Sequence, residues 1–350
     1  MILPESNKLP ITLLAACFNK TTATYKYYWF LAILNSLEKG KVKITKREIF
    51  TRMISTAWYT VNYFNISFGK QDQIQNAIIT IRNNENISIS DRPEFVFDKI
   101  FNSVNSETTK TLQHFDRNVP HWFLSPWFSK IGNENESARR KRIYNGSKVF
   151  FSNCPYSLHQ EFITINEKWI DYLLLNAKFL KSFCYWNLAL FLQSKNPNVP
   201  DITGKLVKPS TRNSLNRQKK QFWDIAFQEL NIIKCIYTGR ELTINDYVVE
   251  HFVPYSFVSH DLIWNLIPAD ASFNSSKSNK LPQLDKYFKP FFQTQKIALE
   301  IVTRKKPRSK ILEEYLTIYP DYTLQFSEKR FNEIISPLIS IASNNGFEYM

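Results

Sequence analysis

A cluster of helix-breaking residues near the middle of the chain divides the sequence into two parts. Four breakers fall within the stretch KNPNVPDITGKLVKP, namely Pro197, Pro200, Gly204 and Pro209. Proline removes a backbone donor and fixes φ, while glycine permits tight turns, so such a cluster predicts a linker. A chain of 350 residues is also longer than one hydrophobic core usually serves. We therefore predict a recognition or regulatory domain over residues 1–200, a second domain over residues 205–300 and a C-terminal helical extension over residues 301–350.

The part before the linker has the patterns of helices. The segments TTATYKYYWFLAILNSLEKG and ITKREIFTRMISTAWYTVNYF carry apolar residues at helical spacing, and Thr45 and Glu48 stand at the spacing of a capping box. Two such helices form either a DNA-reading unit or an ordinary packed pair, and the turn between them has no feature that favours DNA reading. A long buried helix is predicted from Asn166 to near Gln193, and an irregular buried loop over residues 119–128, where two prolines interrupt the aromatics.

Positive charge is in excess and is locally concentrated. The chain has 45 Lys and Arg against 31 Asp and Glu, a formal net charge of +14, which is typical of a protein that meets a polyanion. Basic residues cluster in ESARRKRIY and at the start of the helix STRNSLNRQKK, where cations oppose the helix dipole. Contact with phosphates and simple solvation both explain these clusters. The predicted nucleic-acid contacts are Arg139, Arg140, Lys141, Arg142, Arg212, Arg217, Lys219, Lys220 and Lys280.

Chemistry-bearing side chains are concentrated in the stretch VVEHFVPYSFVSHDLIWNLIPADASFNSSKSNKLP, residues 248–282. The run YVVEH and the run WNLIPA are predicted strands, and Asp270 is a predicted N-cap of the helix that follows. Glu250 and His251 then stand at a strand end, while Asn274 and Lys277 share one face of the helix. We expect strand, loop, strand and helix in that order, with these polar groups on facing surfaces.

This pattern resembles the HNH endonuclease family, also called His-Me finger or ββα-metal nucleases. In that family an acidic residue precedes the first His, an Asn follows fourteen residues later, and a His or Asn follows nine residues after that. His251, Asn265 and Asn274 have these separations, and Glu250 precedes the His. The ending N-x-x-K-S-x-x-x-P further resembles the HNH module of CRISPR RNA-guided effectors. The resemblance covers residues 235–285 and concerns no other part of the chain.

The resemblance implies a role for each motif residue. His251 would be the general base that deprotonates water, since imidazole is partly unprotonated at neutral pH. Glu250 and Asn274 would hold Mg²⁺ or Mn²⁺, which prefer oxygen ligands. Asn265 would tie the loop 254–264 to its strands, and Lys277 would neutralise charge on the phosphate. His260 would be a loop residue or, alternatively, a further ligand or DNA contact.

The chain departs from the family in two respects. Relatives usually have Asp before the His, whereas Glu250 is one methylene longer. Many relatives also carry two C-x-x-C pairs for a structural zinc, but here Thr238 stands three residues after Cys235 and no cysteine lies near Asn274. We therefore predict no structural zinc and expect apolar packing to hold the motif in its place. The packing residues are predicted to be Phe252, Phe257, Trp264, Ile267 and Phe273.

The sequence as a whole predicts an α+β protein that is predominantly α-helical, with a helical N-terminal domain, a ββα-metal HNH nuclease domain and C-terminal helices. The only apolar run near the N-terminus, ITLL, is shorter than a signal peptide requires, and no run is long enough to cross a bilayer. A cytoplasmic location without membrane contact is expected.

The predicted function is that of a metal-dependent endonuclease acting on DNA, of the bacterial restriction or anti-phage defence type. A homodimer or a defence-system partner protein is a further expectation, since one such site cuts one strand. Two alternatives remain open. One is an inactive nucleic-acid-binding module, and the other is an RNase or a homing-type nickase that uses the same site.

Overall fold

Helices make up most of the described part of the chain, which also contains three small antiparallel sheets, as a computed structural model shows. The structure describes residues 2–19, 21–207 and 214–350. Contacts divide the chain into two units. We call Met1–Pro197 together with Ile202–Val207 the N-terminal unit, and Asn198–Asp201 together with Lys208–Met350 the C-terminal unit. Among the described residues, no helix combines the length and the hydropathy that a membrane-spanning segment needs.

The N-terminal unit is a helical assembly with one three-stranded sheet. Its helices are α1 (Ile11–Ala16), α2 (Tyr25–Leu37), α3 (Lys46–Asn62), α4 (Ile74–Glu85), α5 (Pro93–Phe101), α6 (Ser106–Gln113), α7 (Val119–Phe123), α8 (Glu136–Lys148), α9 (Glu167–Leu175) and α10 (Ala177–Lys195). Short 3₁₀ turns cover His114–Arg117, Ser125–Trp127 and Phe151–Asn153. Its strands are β1 (Lys43–Thr45), β2 (Tyr156–Leu158) and β3 (Phe162–Ile165), which pair antiparallel in the order β1-β3-β2.

Aromatic rings fill the core of this unit around α2 and α3. Trp29 and Trp58 are fully buried, and the indole N–H of Trp29 donates to the hydroxyl of Tyr156 at 3.0 Å. Nearly every residue of α3 is buried. The pair α2 and α3 therefore packs into the core and leaves no helix face for reading DNA. As the capping pattern predicts, the hydroxyl of Thr45 accepts the backbone N–H of Glu48, at 3.2 Å.

Two local predictions in this unit are wrong. The predicted single helix from Asn166 to Gln193 is broken at Asn176, whose side-chain amide donates to the carbonyl of Tyr172 at 2.9 Å and whose backbone leaves the helical region. Residues 119–128 form α7 and a 3₁₀ turn instead of an irregular loop. Pro120 and Pro126 stand in the first turn of each segment, where a missing backbone N–H has no consequence.

The described residues of the C-terminal unit form two short hairpins and several helices. Its helices are α11 (Asn216–Gln218), α12 (Asp224–Leu230), α13 (Tyr255–Val258), α14 (Ala271–Lys277), α15 (Leu284–Lys305), α16 (Tyr322–Gln325) and α17 (Glu328–Asn344). A π-helical stretch covers Lys219–Trp223, and 3₁₀ turns cover Ile263–Asn265 and Lys310–Thr317. Strand β4 (Ile233–Lys234) pairs with β5 (Glu241–Leu242), and β6 (Val248–His251) pairs with β7 (Leu266–Ala269), both antiparallel. The predicted fold class, α+β with a predominance of α-helix, is confirmed.

Ring packing holds the second hairpin against the long helix α15. Phe252 lies parallel to Phe291, with ring centroids 3.9 Å apart. Phe273 on α14 stacks on Tyr237, with centroids 4.7 Å apart. The side-chain amide of Gln295, which is buried on α15, donates to the carbonyl of Ile263 at 3.0 Å. Residues 301–350, set apart as an extension by the sequence prediction, lie in the same unit as this hairpin.

Candidate nuclease site

The hairpin β6–β7 and the helix α14 bring the motif residues together. In β6 the residues Glu250 and His251 pair with Ile267 and Leu266 of β7. Asp270 directly follows β7 and caps α14, because its carboxylate accepts the backbone N–H of Ser272 at 2.8 Å. Hydrogen bonds from Ser272 and from the Arg240 guanidinium hold the pKa of Asp270 well below its usual range. The cap is therefore a permanent anion, which favours a helix start at this point.

His251 is buried and held by two oxygen atoms. Its ring is 2% exposed, and Nε2 lies 3.0 Å from Oδ1 of Asp261 and 3.2 Å from the carbonyl oxygen of His260. A carboxylate and a carbonyl only accept hydrogen bonds, so Nε2 must carry the proton. In the neutral imidazole, Nδ1 is then the basic nitrogen. This is the tautomer that a general base requires, with the second nitrogen held by a carboxylate.

Asp261 is the site residue that sequence reasoning missed. It follows His260, in the loop between α13 and β7, and no family spacing singles it out. His260 itself packs its ring against Trp264, with centroids 5.0 Å apart, and its Nδ1 accepts the backbone N–H of Leu262 at 3.4 Å. The ring of His260 thus has contacts within the loop. The backbone carbonyl of His260 and the side chain of Asp261 accept hydrogen bonds from His251.

Glu250 and Lys277 form an ion pair across the hairpin and the helix. The ammonium group of Lys277 lies 3.0 Å from Oε1 of Glu250 and donates to the backbone carbonyl of His251 at 2.8 Å. The Lys277 side chain is fully buried and that of Glu250 is 13% exposed. The end of β6 is therefore fixed to the last turn of α14. A contact of Lys277 with phosphate stays a prediction, since the ammonium group already has these two partners.

Asn265 closes the loop between the two strands. Its amide donates to the carbonyl of Val253 at 2.8 Å and its Oδ1 accepts the backbone N–H of Val253 at 2.9 Å. Its backbone carbonyl also accepts the N–H of Phe252 at 2.8 Å. The side chain is completely buried. The two bonds to Val253 fix the chain directly after His251, which makes Asn265 a positioning residue in this geometry.

Asn274 lies on α14, the helix whose Lys277 contacts Glu250. It precedes Lys277 by one helical turn, so its side chain lies on the face of α14 that Lys277 turns towards β6. It is half-buried. A carboxylate and an amide oxygen suit a hard cation such as Mg²⁺, which keeps several waters. Among the described residues, no group of three or more His, Cys, Asp and Glu side chains is placed to hold a metal.

Tyr237, on which the charge of Glu250 acts, is a second residue that sequence reasoning missed. Burial and the charge of Glu250 raise the pKa of its hydroxyl well above the usual range. Within the part of the chain that the structure describes, this buried hydroxyl has no hydrogen-bond partner. Unpaired buried hydroxyls are rare in folded proteins. A polar ligand beside Glu250, such as a water of a hydrated cation, would satisfy it.

The predicted nucleic-acid contacts fall into different environments. Arg139 donates to the carbonyl of Phe128 and Arg142 forms a two-point pair with Glu134, at 2.8 Å for each bond. Arg217 pairs with Glu314 at 2.8 Å. The remaining described residues of this set are Arg140, Lys141, Lys219, Lys220 and Lys280, of which Lys141, Lys220 and Lys280 are exposed. Arg212 lies outside the described residues.

The ammonium group of Lys219 is engaged within the C-terminal unit. It donates to the backbone carbonyl of Tyr247 at 3.1 Å and lies 4.2 Å from the centroid of the Tyr247 ring. The side chains of Arg139, Arg142, Arg217 and Lys219 thus have partners inside the protein, which is a structural use of their charge. Their contact with nucleic acid stays a prediction.

Comparison with known proteins identifies one stretch of the chain. Residues 235–283 match the family model described as HNH endonuclease. This stretch includes Glu250, His251, Asn265, Asn274 and Lys277. No curated protein and no solved structure matches the chain. The C-terminal unit thus contains an HNH endonuclease-like stretch, and the similarity covers no residue of the N-terminal unit.

Proposed function

We propose that this protein is a metal-dependent HNH endonuclease that hydrolyses phosphodiester bonds in DNA. The observation that carries the proposal is the geometry at His251, whose Nε2 is held by Asp261 within the stretch that matches the HNH family. Adjacent in sequence, Glu250 presents a carboxylate whose Oε1 lies 3.0 Å from the ammonium group of Lys277. A base in a defined tautomer next to an oxygen ligand is what hydrolysis of a phosphodiester requires.

In the proposed reaction His251 accepts the proton of the attacking water at Nδ1. The water oxygen bonds to phosphorus, the bond from phosphorus to the leaving oxygen breaks, and solvent supplies the proton that this oxygen gains. Asp261 then faces an imidazolium, and its negative charge stabilises that cation. Glu250 and Asn274 would hold the Mg²⁺ or Mn²⁺ ion, which when bound polarises the scissile phosphate and stabilises the leaving oxygen. Lys277 keeps Glu250 in place, and Asn265 keeps the chain after His251 in place.

We further infer restriction or anti-phage defence as the biological setting and the cytoplasm as the location. The support for both is the resemblance to the HNH endonuclease family. A single site of this kind cuts one strand. Cleavage of a duplex would need a second copy, in a symmetric dimer, or a second encounter.

Plasmid cleavage tests the proposal directly. Supercoiled plasmid is incubated with the wild-type protein in Mg²⁺, in Mn²⁺ and in excess chelator, and in parallel with His251→Ala. We expect cleavage by the wild type with either ion and none with chelator or with the variant. Nicked and linear products separate single-strand from double-strand cleavage. Parallel digestion of RNA and of single-stranded DNA decides the substrate class.

One observation favours a second candidate, a nucleic-acid-binding module without cleavage. Lys277 already supplies a positive charge to Glu250, at 3.0 Å. An internal ammonium group of this kind substitutes for a cation in an inactive site. This candidate predicts that wild type and His251→Ala bind DNA equally and that neither cleaves it in any divalent ion.

A further inference from the structure

A basic cleft lies in the N-terminal unit, which the HNH similarity does not reach. Its volume is about 730 Å³. Four cationic side chains line it, namely Lys46, Arg140, Lys141 and Lys148, together with His159. Among the described residues that line the cleft, Asp116 is the one carboxylate. The cleft therefore has a strong excess of positive charge.

The single carboxylate does not neutralise the cleft. Asp116 lies 2.7 Å from the ammonium group of Lys46 and 3.8 Å from the guanidinium of Arg140, so it is shared by two cations. Lys141 and Lys148 are exposed. The positive charge also acts on His159, whose pKa is lowered by burial and then by the charges of Lys148, Lys43 and Lys46. Among the described residues that line the cleft, the cations thus outnumber the carboxylate, and the cleft would attract an anion.

Helix α8 arranges the cations in a row. Residues 137, 140, 141, 144, 145 and 148 all line the cleft, which is the spacing of one helix face over three turns. Arg140 and Lys148 are eight residues apart, or roughly 12 Å along the axis at about 1.5 Å per residue. Successive phosphates of one DNA strand advance about 3.4 Å along the duplex axis. The row is thus too long for one phosphate and matches several phosphates in succession.

The neighbouring arginines fix this helix in place. Arg139 donates to the carbonyl of Phe128 at 2.9 Å and lies over the ring of Trp122, while Arg142 is paired with Glu134. The basic residues of the segment ARRKR therefore fall into two groups. Arg139 and Arg142 attach α8 to the rest of the unit, and Arg140 and Lys141 are turned to the cleft.

We propose that this cleft binds the phosphodiester backbone of a nucleic-acid strand, through Lys141 and Lys148 on α8 with Lys46 and Arg140 beside them. The ligand class agrees with the proposed nuclease function, but the site consists of residues outside the HNH-like stretch. Binding here does not require cleavage. Because backbone phosphates carry no base information, the cleft would add affinity and position, without sequence specificity of its own.

Binding to a labelled duplex at several salt concentrations tests this site. The full chain with His251→Ala serves as parent, so that no substrate is cut, and fluorescence anisotropy gives the dissociation constant. The double variant Lys141→Ala, Lys148→Ala should bind more weakly, and the slope of log K against log salt should shrink by about two, one for each lost phosphate contact. The matched control Lys178→Ala removes an exposed lysine of α10 that does not line the cleft, and should match the parent.

Further arms separate the proposal from its rivals. A mononucleotide at the same phosphate concentration should not displace the duplex, because its phosphate contacts the cations of only one turn of α8. Unchanged affinity and salt slope in the double variant, or full displacement by the mononucleotide, would overturn the proposal. Both substituted lysines are exposed, and circular dichroism of the variant should match the parent. Absence of cleavage by the wild type would count against the nuclease function and leave this binding result intact.

Discussion

Each unit buries one histidine, and the two histidines have opposite surroundings. His121 and His251 are both 2% exposed. Within the described residues, Nδ1 of His121 has no hydrogen-bond partner, and burial together with the charge of Arg140 lowers the pKa of the ring to about 4. His251 instead has a carboxylate 3.0 Å from Nε2. A buried histidine among rings and cations stays neutral, whereas one held by a carboxylate can receive a proton during a reaction.

The same contrast separates two glutamates. Glu48 in the N-terminal unit uses both oxygens, since Oε1 accepts from Ser36 and Arg52 and Oε2 accepts from Lys41. Glu250 in the C-terminal unit is contacted by Lys277 at Oε1. A carboxylate with all its partners inside the protein stabilises the fold. The proposed role of Glu250, which directly precedes His251 in the sequence, is instead to bind a ligand.

The largest expected effect distinguishes the two histidines. His251→Ala should lower the cleavage rate by about 10² to 10⁴, the usual contribution of a general base. His121→Phe, the matched substitution in the other unit, should leave cleavage unchanged, because a ring of similar shape replaces one that stays neutral. Single-turnover cleavage of a labelled duplex measures both. Equal losses in the two variants would erase the distinction between the two sites.

The glutamate pair should separate activity from stability. Glu250→Gln removes the charge of a proposed metal ligand. It should raise the activation barrier of cleavage by about 3 kcal/mol, which lowers the cleavage rate roughly 100-fold. Glu48→Gln should lower the free energy of unfolding by about 3 kcal/mol, because Arg52 then loses its buried counter-charge. Urea unfolding and cleavage are measured for both variants. The comparison fails if Glu48→Gln also abolishes cleavage under conditions where it is folded.

His121 should make stability depend on pH. The unfolded chain binds a proton at this histidine near pH 6.5, whereas the folded protein binds it only near pH 4. In the window between these values the unfolded state holds more protons, so stability falls as the pH drops through it. Allowing for solvent screening, the loss is about 2 to 3 kcal/mol between pH 7 and pH 4. Unfolding of His121→Phe over that range should show a pH dependence smaller by this amount, and an unchanged dependence would contradict the assignment.

Substitution of Asp261 should have the smallest of the four expected effects. Asp261→Asn keeps the shape of the side chain and removes the charge that faces the imidazolium. Residues that act through a neighbouring group typically contribute 10- to 100-fold, so we expect a loss of that size with KM nearly unchanged. Asp261→Glu keeps the negative charge and should retain more of the rate than Asp261→Asn. Equal losses in the two variants would indicate a structural role only.

How far the sequence determines the site can be followed from single residues. The separations of His251, Asn265 and Asn274 predict strand, loop, strand and helix, because each residue type is tied to a place in a short local structure. Asp261 could not be predicted in this way. Its loop is fixed by distant parts of the chain, since Glu314 accepts the backbone N–H of Ile263 at 2.7 Å from fifty-one residues away.

The fold shows the same limit. Helices α2 and α3 follow from periodicity and capping, whereas the break at Asn176 depends on one side-chain amide that competes for a carbonyl. In the basic segment, charge is visible in the sequence but its use is not. Only the structure shows that Arg142 is paired with Glu134 while Lys141 lines a cleft. Tertiary partners, and not composition, decide which charges remain available.

The central claim is that Glu250 and Asn274 hold a divalent cation beside His251. Anomalous diffraction from crystals of the full chain soaked in Mn²⁺ tests it most directly, with Glu250→Gln crystals as the control. We predict one strong peak bounded by the Glu250 carboxylate and the Asn274 amide oxygen, greatly reduced in the variant. A well-ordered site without a peak there, in crystals grown from protein that binds DNA, would contradict the account.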